Sequence, residues 1–212
     1  MPPIVAMLLV TGAEFGRFPS APLKEGGLLM RRTILLLATV ALVLVVAGGV
    51  ALAASFISCP GGGQDCFGTN NNDRIKGTDS DEKIYGEGGN DTVDGTGGFD
   101  VLLGDNTDDR TLDGNDKLDG GASDDALHGY GGSDTLIGGS GHDIIDAVAG
   151  EFSGSGSQNT IKGGSGDDDI QADNGVSDTI DCGTGGEVRG DFAQVDATLD
   201  TVAKNCEDVS RL

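Results

Sequence analysis

Along residues 68–181 single aliphatic side chains recur every nine positions among polar neighbours. Ile75, Ile84, Val93 and Leu102 form one block, Leu118, Leu127, Leu136 and Ile145 a second, and Ile161 with Ile170 a third. A nine-residue period is too short for a helical hairpin. The spacing suits a solenoid in which a tight six-residue turn feeds a strand of about three residues, two such units completing one coil. Successive turns then fall on opposite edges, and residues eighteen apart stack on the same edge. The step widens to sixteen from Leu102 to Leu118 and from Ile145 to Ile161, so Asp105 to Asn115 and Ala147 to Gln158 read as extended loops. Within the second, residues 150–157 have linker-like composition.

The polar positions repeat with the same register. An aspartate stands two residues before the aliphatic in Asp73/Ile75, Asp91/Val93, Asp100/Leu102, Asp116/Leu118, Asp125/Leu127, Asp134/Leu136, Asp143/Ile145, Asp168/Ile170 and Asp178/Ile180. Two copies change the acid, to Glu82 before Ile84 and Asn159 before Ile161, and read as unoccupied positions. Glycines before each aspartate let the backbone curl with its carbonyls inward, and the carboxylate adds a hard anionic oxygen. The stacking arithmetic pairs Asp73 with Asp91, Asp116 with Asp134, and Asp125 with Asp143; it does not fix pairs across an insertion. Two carboxylates plus carbonyls approach the six to eight oxygens that Ca²⁺ takes, whereas Mg²⁺ demands a tight octahedron and keeps its waters.

The fullest copy, Gly138-Gly139-Ser140-Gly141-His142-Asp143-Ile144-Ile145-Asp146, fits G-G-x-G-x-D-x-U-x with U aliphatic, and residues 163–171 and 120–128 follow closely. Residues 68–181 therefore resemble the repeats-in-toxin family, whose calcium-binding nonapeptide is itself a known example of a β-helix repeat. The resemblance implies an all-β fold, a right-handed parallel β-roll stapled by several Ca²⁺ ions. It also implies that the listed aspartates ligate metal together with loop carbonyls of Gly120, Gly138, Gly139, Gly141, Gly163, Gly164 and Gly166. Segments around Cys59–Thr69 and Asp178–Glu207 are similar to the ends of small secreted bacterial members. There Glu187 stands where an aspartate is expected, which questions a calcium position after Cys182.

Charge and chain ends narrow the function. With 35 acidic and 13 basic residues, a net charge of −22 and no Trp, the chain repels polyanions, so nucleic acid is not an expected partner. Met30-Arg31-Arg32-Thr33, an apolar run from Ile34 to Ala47 and a small-residue stretch ending at Ala53 compose a secretory signal peptide. Residues 1–29 then read as an extension upstream of the true start. The competing reading is a retained membrane anchor, since residues 33–54 are long enough to span a bilayer. Cleavage after Ala53 removes four basic and two acidic residues, taking the charge from −22 to −24.

Export makes the four cysteines disulfide candidates. Of three connectivities, Cys59–Cys66 with Cys182–Cys206 is favoured, because each bridge closes a local loop where a solenoid needs capping. The expected organisation is a cap at 54–67, repeats at 68–181 and a second cap at 182–212.

No H-E-x-x-H, G-x-S-x-G or P-loop pattern occurs in the sequence. His128 and His142 occupy variable repeat positions and read as exposed loop residues. Catalytic relatives carry a separate domain before their repeats, whereas only about a dozen residues stand between the expected cleavage site and the first repeat here. The expectation is a monomeric, extracellular, calcium-binding protein that is not an enzyme. The alternative is a cell-surface adhesion or matrix module tethered by residues 33–54, with a partner on the surface or in the matrix.

Overall fold

The computed structural model describes residues 54–105, 113–148, 157–185 and 190–212. The upstream extension, the signal or anchor segment to Ala53, most of the linker-like stretch and Glu187 lie outside the described residues. Every regular element among the described residues is a strand: β1 (Ser55–Ser58), β2 (Cys66–Thr69), β3 (Asp73–Lys76), β4 (Lys83–Glu87), β5 (Thr92–Asp94), β6 (Val101–Asp105), β7 (Lys117–Ala122) and β8 (Ala126–His128). They continue as β9 (Thr135–Ser140), β10 (Ile144–Asp146), β11 (Thr160–Gly166), β12 (Asp169–Ala172), β13 (Thr179–Gly185), β14 (Phe192–Val195), β15 (Thr201–Val202) and β16 (Asp208–Arg211).

Odd strands build one sheet in chain order and even strands the other, with parallel pairing throughout. The chain therefore crosses between the sheets at every turn, and two strands make one coil, giving a parallel β-roll. The pleat sends alternate side chains inward. Ile57, Ile75, Val93, Leu118, Leu136, Ile161, Ile180 and Val202 stand in one register column of the odd sheet. Ile84, Leu102, Leu127, Ile145 and Ile170 stand in the facing column. The eleven aliphatic positions read from the period are all fully buried, so the core is a narrow strip of two facing columns between the sheets.

Turns stack closely enough to demand glycine at particular places. Gly164 holds φ at +127°, and a Cβ there would collide with the Gly139 carbonyl one coil below. Close approach of neighbouring backbones, with the left-handed conformation, leaves no room for another residue at this point.

Both disulfides form as the loop argument favoured. Cys59–Cys66 ties the end of β1 to the start of β2, the edge strands of the two sheets. Cys182–Cys206 ties β13 to the residues between β15 and β16, one strand in from the opposite edge. His128 departs from the loop expectation: it lies on β8, half-buried, with Nδ1 3.5 Å from Asp146 on the neighbouring β10. His142 remains in a turn, with Nε2 3.7 Å from Asp169.

Candidate metal sites

Each edge of the roll carries a ladder of acids in which a backbone N–H of one turn donates to Oδ1 of the acid one coil further on. On the edge reached from the even strands, Asp73 N donates to Asp91 (2.7 Å), Asp91 N to Asp116 (2.8 Å), Asp116 N to Asp134 (2.9 Å) and Asp134 N to Asn159 (2.8 Å). The file ends with Asn159 to Asp178 and Asp178 to Asp200. On the other edge the file runs Glu82, Asp100, Asp125, Asp143, Asp168, Asp191 and Glu207. The ladder bridges both insertions: Asp91–Asp116 and Asp143–Asp168 stack although 25 residues separate each pair.

The second carboxylate oxygens are less well served. Oδ2 of Asp91, Asp100, Asp116, Asp125, Asp134, Asp143, Asp168 and Asp191 is buried with no hydrogen-bond partner. A buried anionic oxygen without a donor costs at least the 1–3 kcal/mol of an unsatisfied polar group. So regular a set of orphaned oxygens is a donor set that fits cations beside these eight aspartates. The glycines define the space. A Cβ on Gly120 would come within 2.5 Å of Asp125 Oδ2 and 2.6 Å of the Gly138 carbonyl oxygen on the next coil. One on Gly95 would meet Asp100 Oδ2 at 2.7 Å and the Gly120 carbonyl at 2.5 Å. Gly138 stands between Asp143 Oδ2 and the Gly163 carbonyl, and Gly163 between Asp168 Oδ2 and the Cys182 carbonyl.

Thus Gly86, Gly95, Gly104, Gly120, Gly138 and Gly163 each leave open a cradle lined by the aspartate of their own turn and a carbonyl of the coil above. Among the described residues no three His, Cys, Asp or Glu side chains converge as a metal cluster. Oxygen donors from backbone and water must therefore complete any coordination shell, a donor set suited to calcium.

Burial is the main force on these carboxyls. It pushes Asp91, Asp105 and Asp134 up to about 8, Asp100, Asp116 and Asp168 to about 7, and Asp125, Asp143 and Asp178 to about 6. The ladder N–H on the opposite oxygen pulls most of them back, and acids on adjacent coils raise most of them further. A cation in the cradle removes the cause of the shift, since it compensates the charge that burial disfavours.

The nine aspartates expected from the sequence all stand on the ladders, yet they differ in what their oxygens touch. Seven have the orphaned Oδ2. Asp73 Oδ2 accepts from the Thr69 N–H (2.7 Å) and hydroxyl (2.8 Å), and Asp178 Oδ2 accepts from Asn174 Nδ2 (2.9 Å). Glu82 is held by the N–H and hydroxyl of Thr78, and Asn159 Nδ2 donates to the Ala147 carbonyl (3.2 Å). Gly139, Gly141, Gly164 and Gly166 form the backbone-to-backbone stack of the turns, with Gly141 O facing Gly166.

Sequence reasoning missed Asp191, fully buried with its own orphaned Oδ2, because Ala193 replaces the expected large aliphatic. Asp191 continues the ladder after Asp168, accepting from Asp168 N at 2.9 Å. It also missed Asp105, a buried acid at the end of β6 whose oxygens accept from Gly114 N at 3.1 and 3.2 Å.

A family model described as RTX calcium-binding nonapeptide repeat (4 copies) matches residues 67–102, 111–145 and 151–181. No curated protein matches the chain.

Proposed function

We propose that this chain, which belongs to the RTX calcium-binding nonapeptide repeat family through its residues 67–181, is a secreted β-roll protein whose folding is driven by Ca²⁺ between its turns. The repeats of this family bind calcium. What supports the finer reading is the row of buried, unpartnered Oδ2 atoms, six of them (Asp91, Asp100, Asp116, Asp125, Asp143 and Asp168) facing a backbone carbonyl of the next coil.

Asp91, Asp100, Asp116, Asp125, Asp134, Asp143, Asp168 and Asp191 would hold the ions, with carbonyls such as those of Gly120, Gly138 and Gly163. Bound calcium supplies the positive charge that lets stacked carboxylates stay ionised away from water. Without it the aspartates repel along each edge, and a core this narrow cannot offset them. Asp73 and Asp178 have their second oxygens occupied by Thr69 and Asn174, so their part is to anchor turns.

Residues 54–67 and 182–212 act as disulfide-tied caps on a repeat unit at 68–181. The basic, apolar and small-residue pattern of 30–53 supports export, and millimolar extracellular calcium matches the weak affinities of extracellular modules, about 10⁻⁴–10⁻³ M. The role is that of a binding or structural protein. No reaction is assigned, because the charged side chains that stand together are already committed to the ladders.

Calorimetric titration of the chelator-stripped chain with CaCl₂, followed in parallel by circular dichroism, tests this reading. Several ions should bind as β-signal appears. Full β-signal in chelator, or no binding heat, would refute it.

A further inference from the structure

We propose that Asp105 makes the gap between Asp91 and Asp116 the tightest calcium position of the roll, the one filled first as the chain folds. This deepens the preceding reading and rests on it. In the turn that follows β6, Gly104 occupies the first place of the nonapeptide and Asp105 the place of its second glycine. Seven extra residues follow before Asp113-Gly114-Asn115-Asp116 resumes the pattern.

The same place on the neighbouring coils of this edge is taken by Thr69, Glu87 and Tyr130, which are exposed or half-buried. Asp105 alone among them is turned inward, at 2% exposure. Among the described residues its hydrogen-bond donor is Gly114 N, shared between two oxygens at 3.1 and 3.2 Å.

The cradle beside it already lacks a positive charge. Asp91 and Asp116 are 2% and 3% exposed, and each has an Oδ2 with no partner. Asp91 Oδ2 is aimed at Gly86, and the carbonyl of Gly104, the chain neighbour of Asp105, closes on the same Cβ position from the coil of Asp116. Asp113 adds a fourth acid on the rim, packed over Gly131 of the next coil.

Asp116, Asp113 and Asp91 all act electrostatically on Asp105, and no basic group is among the groups that do. Asp105 does not complete a three-carboxylate cage. It places an additional anion beside the ion, where low local dielectric makes each charge count for more than in water. Among the described residues, every other turn with an orphaned second oxygen has a glycine, threonine, tyrosine or glutamate at this place, none of them fully buried, and Asp173, at the same place before Asp178, is only half-buried. One position is thus set apart.

The test titrates the full chelator-stripped chain with CaCl₂ by calorimetry, comparing wild type with Asp105→Asn, Asp105→Ser, Asp105→Glu and Asp143→Asn. Wild type should show one step at least about tenfold tighter than the remainder. Asp105→Asn and Asp105→Ser should lose that step while binding the weaker ions. Asp105→Glu should keep it, and Asp143→Asn should lose a weak ion alone.

Two neutral variants guard against one that does not fold, which circular dichroism in excess calcium identifies. A single class of equal sites in wild type, or a first step within twofold of wild type in either folded neutral variant, would overturn the inference while leaving calcium binding intact. A titration without heat in wild type would instead remove the reading on which it rests.

Discussion

Replacing Asp143 by Asn should move stability in opposite directions with and without calcium. Oδ1 of Asp143 accepts from Asp125 N at 2.9 Å, and an asparagine oxygen can do the same. The second oxygen is orphaned and stands beside Gly138, where the Gly163 carbonyl also points. An amide NH₂ there gains an acceptor. Asn159 displays the arrangement in the native chain, taking the Asp134 N–H at 2.8 Å and giving Nδ2 to the Ala147 carbonyl at 3.2 Å.

Relieving a buried unsatisfied group is worth about 1–3 kcal/mol, so the variant should be more stable than wild type by that amount in chelator. With calcium at one hundred times its dissociation constant, one ion contributes about 2.7 kcal/mol, and the variant should lose that much of its calcium-dependent gain. Urea unfolding by circular dichroism, with sucrose to bring the chelated protein into the folded range, measures both quantities. A variant less stable than wild type in chelator, or one with an undiminished calcium increment, would refute the reasoning.

Proton linkage gives an independent check: carboxyls raised to about 6–8 in the coil bind protons more tightly than in the unfolded chain, near pH 3.8. In chelator their contribution to stability is fully present below about pH 4 and is lost as pH rises through 6–8, so β-signal should grow on acidification; a flat or opposite profile contradicts this. Gly138→Ala would place a methyl group 2.6 Å from the Gly163 carbonyl and against Asp143, and should cost about 1–3 kcal/mol and one ion by calorimetry. Gly61→Ala, with Thr78 at 3.8 Å, should be neutral in both assays. Removing Cys182–Cys206, which spans 24 residues, should lower stability in calcium by about 3.5 kcal/mol against about 2.4 for Cys59–Cys66, which spans 7; urea unfolding of the paired Cys→Ala variants ranks them.

Much of the roll is written in the chain because one signal serves two purposes. The nine-residue step that buries Ile75, Leu127 or Ile145 also places the aspartate two residues earlier on an edge, so core and ladder are read together. What escaped the sequence lay where that coupling breaks. Asp191 was hidden because Ala193 is too small to register as an aliphatic position, although Val195 restores core volume two residues later. Asp105 was assigned to a loop because the insertion begins beside it, yet β6 carries it into the interior. The continuity of rungs across 25 residues depends on backbone hydrogen bonds, to which spacing alone is blind. The same holds for the second oxygens of Asp73 and Asp178, whose donors Thr69 and Asn174 lie outside the G-G-x-G-x-D pattern.

Diffraction from crystals grown in abundant calcium, recorded at a wavelength where calcium scatters anomalously, tests the central claim most directly. Peaks should lie between successive coils, within bonding distance of Oδ2 of Asp125 and Asp143 and the Gly138 carbonyl. Cradles holding water alone, with no anomalous signal along either edge, would contradict the account.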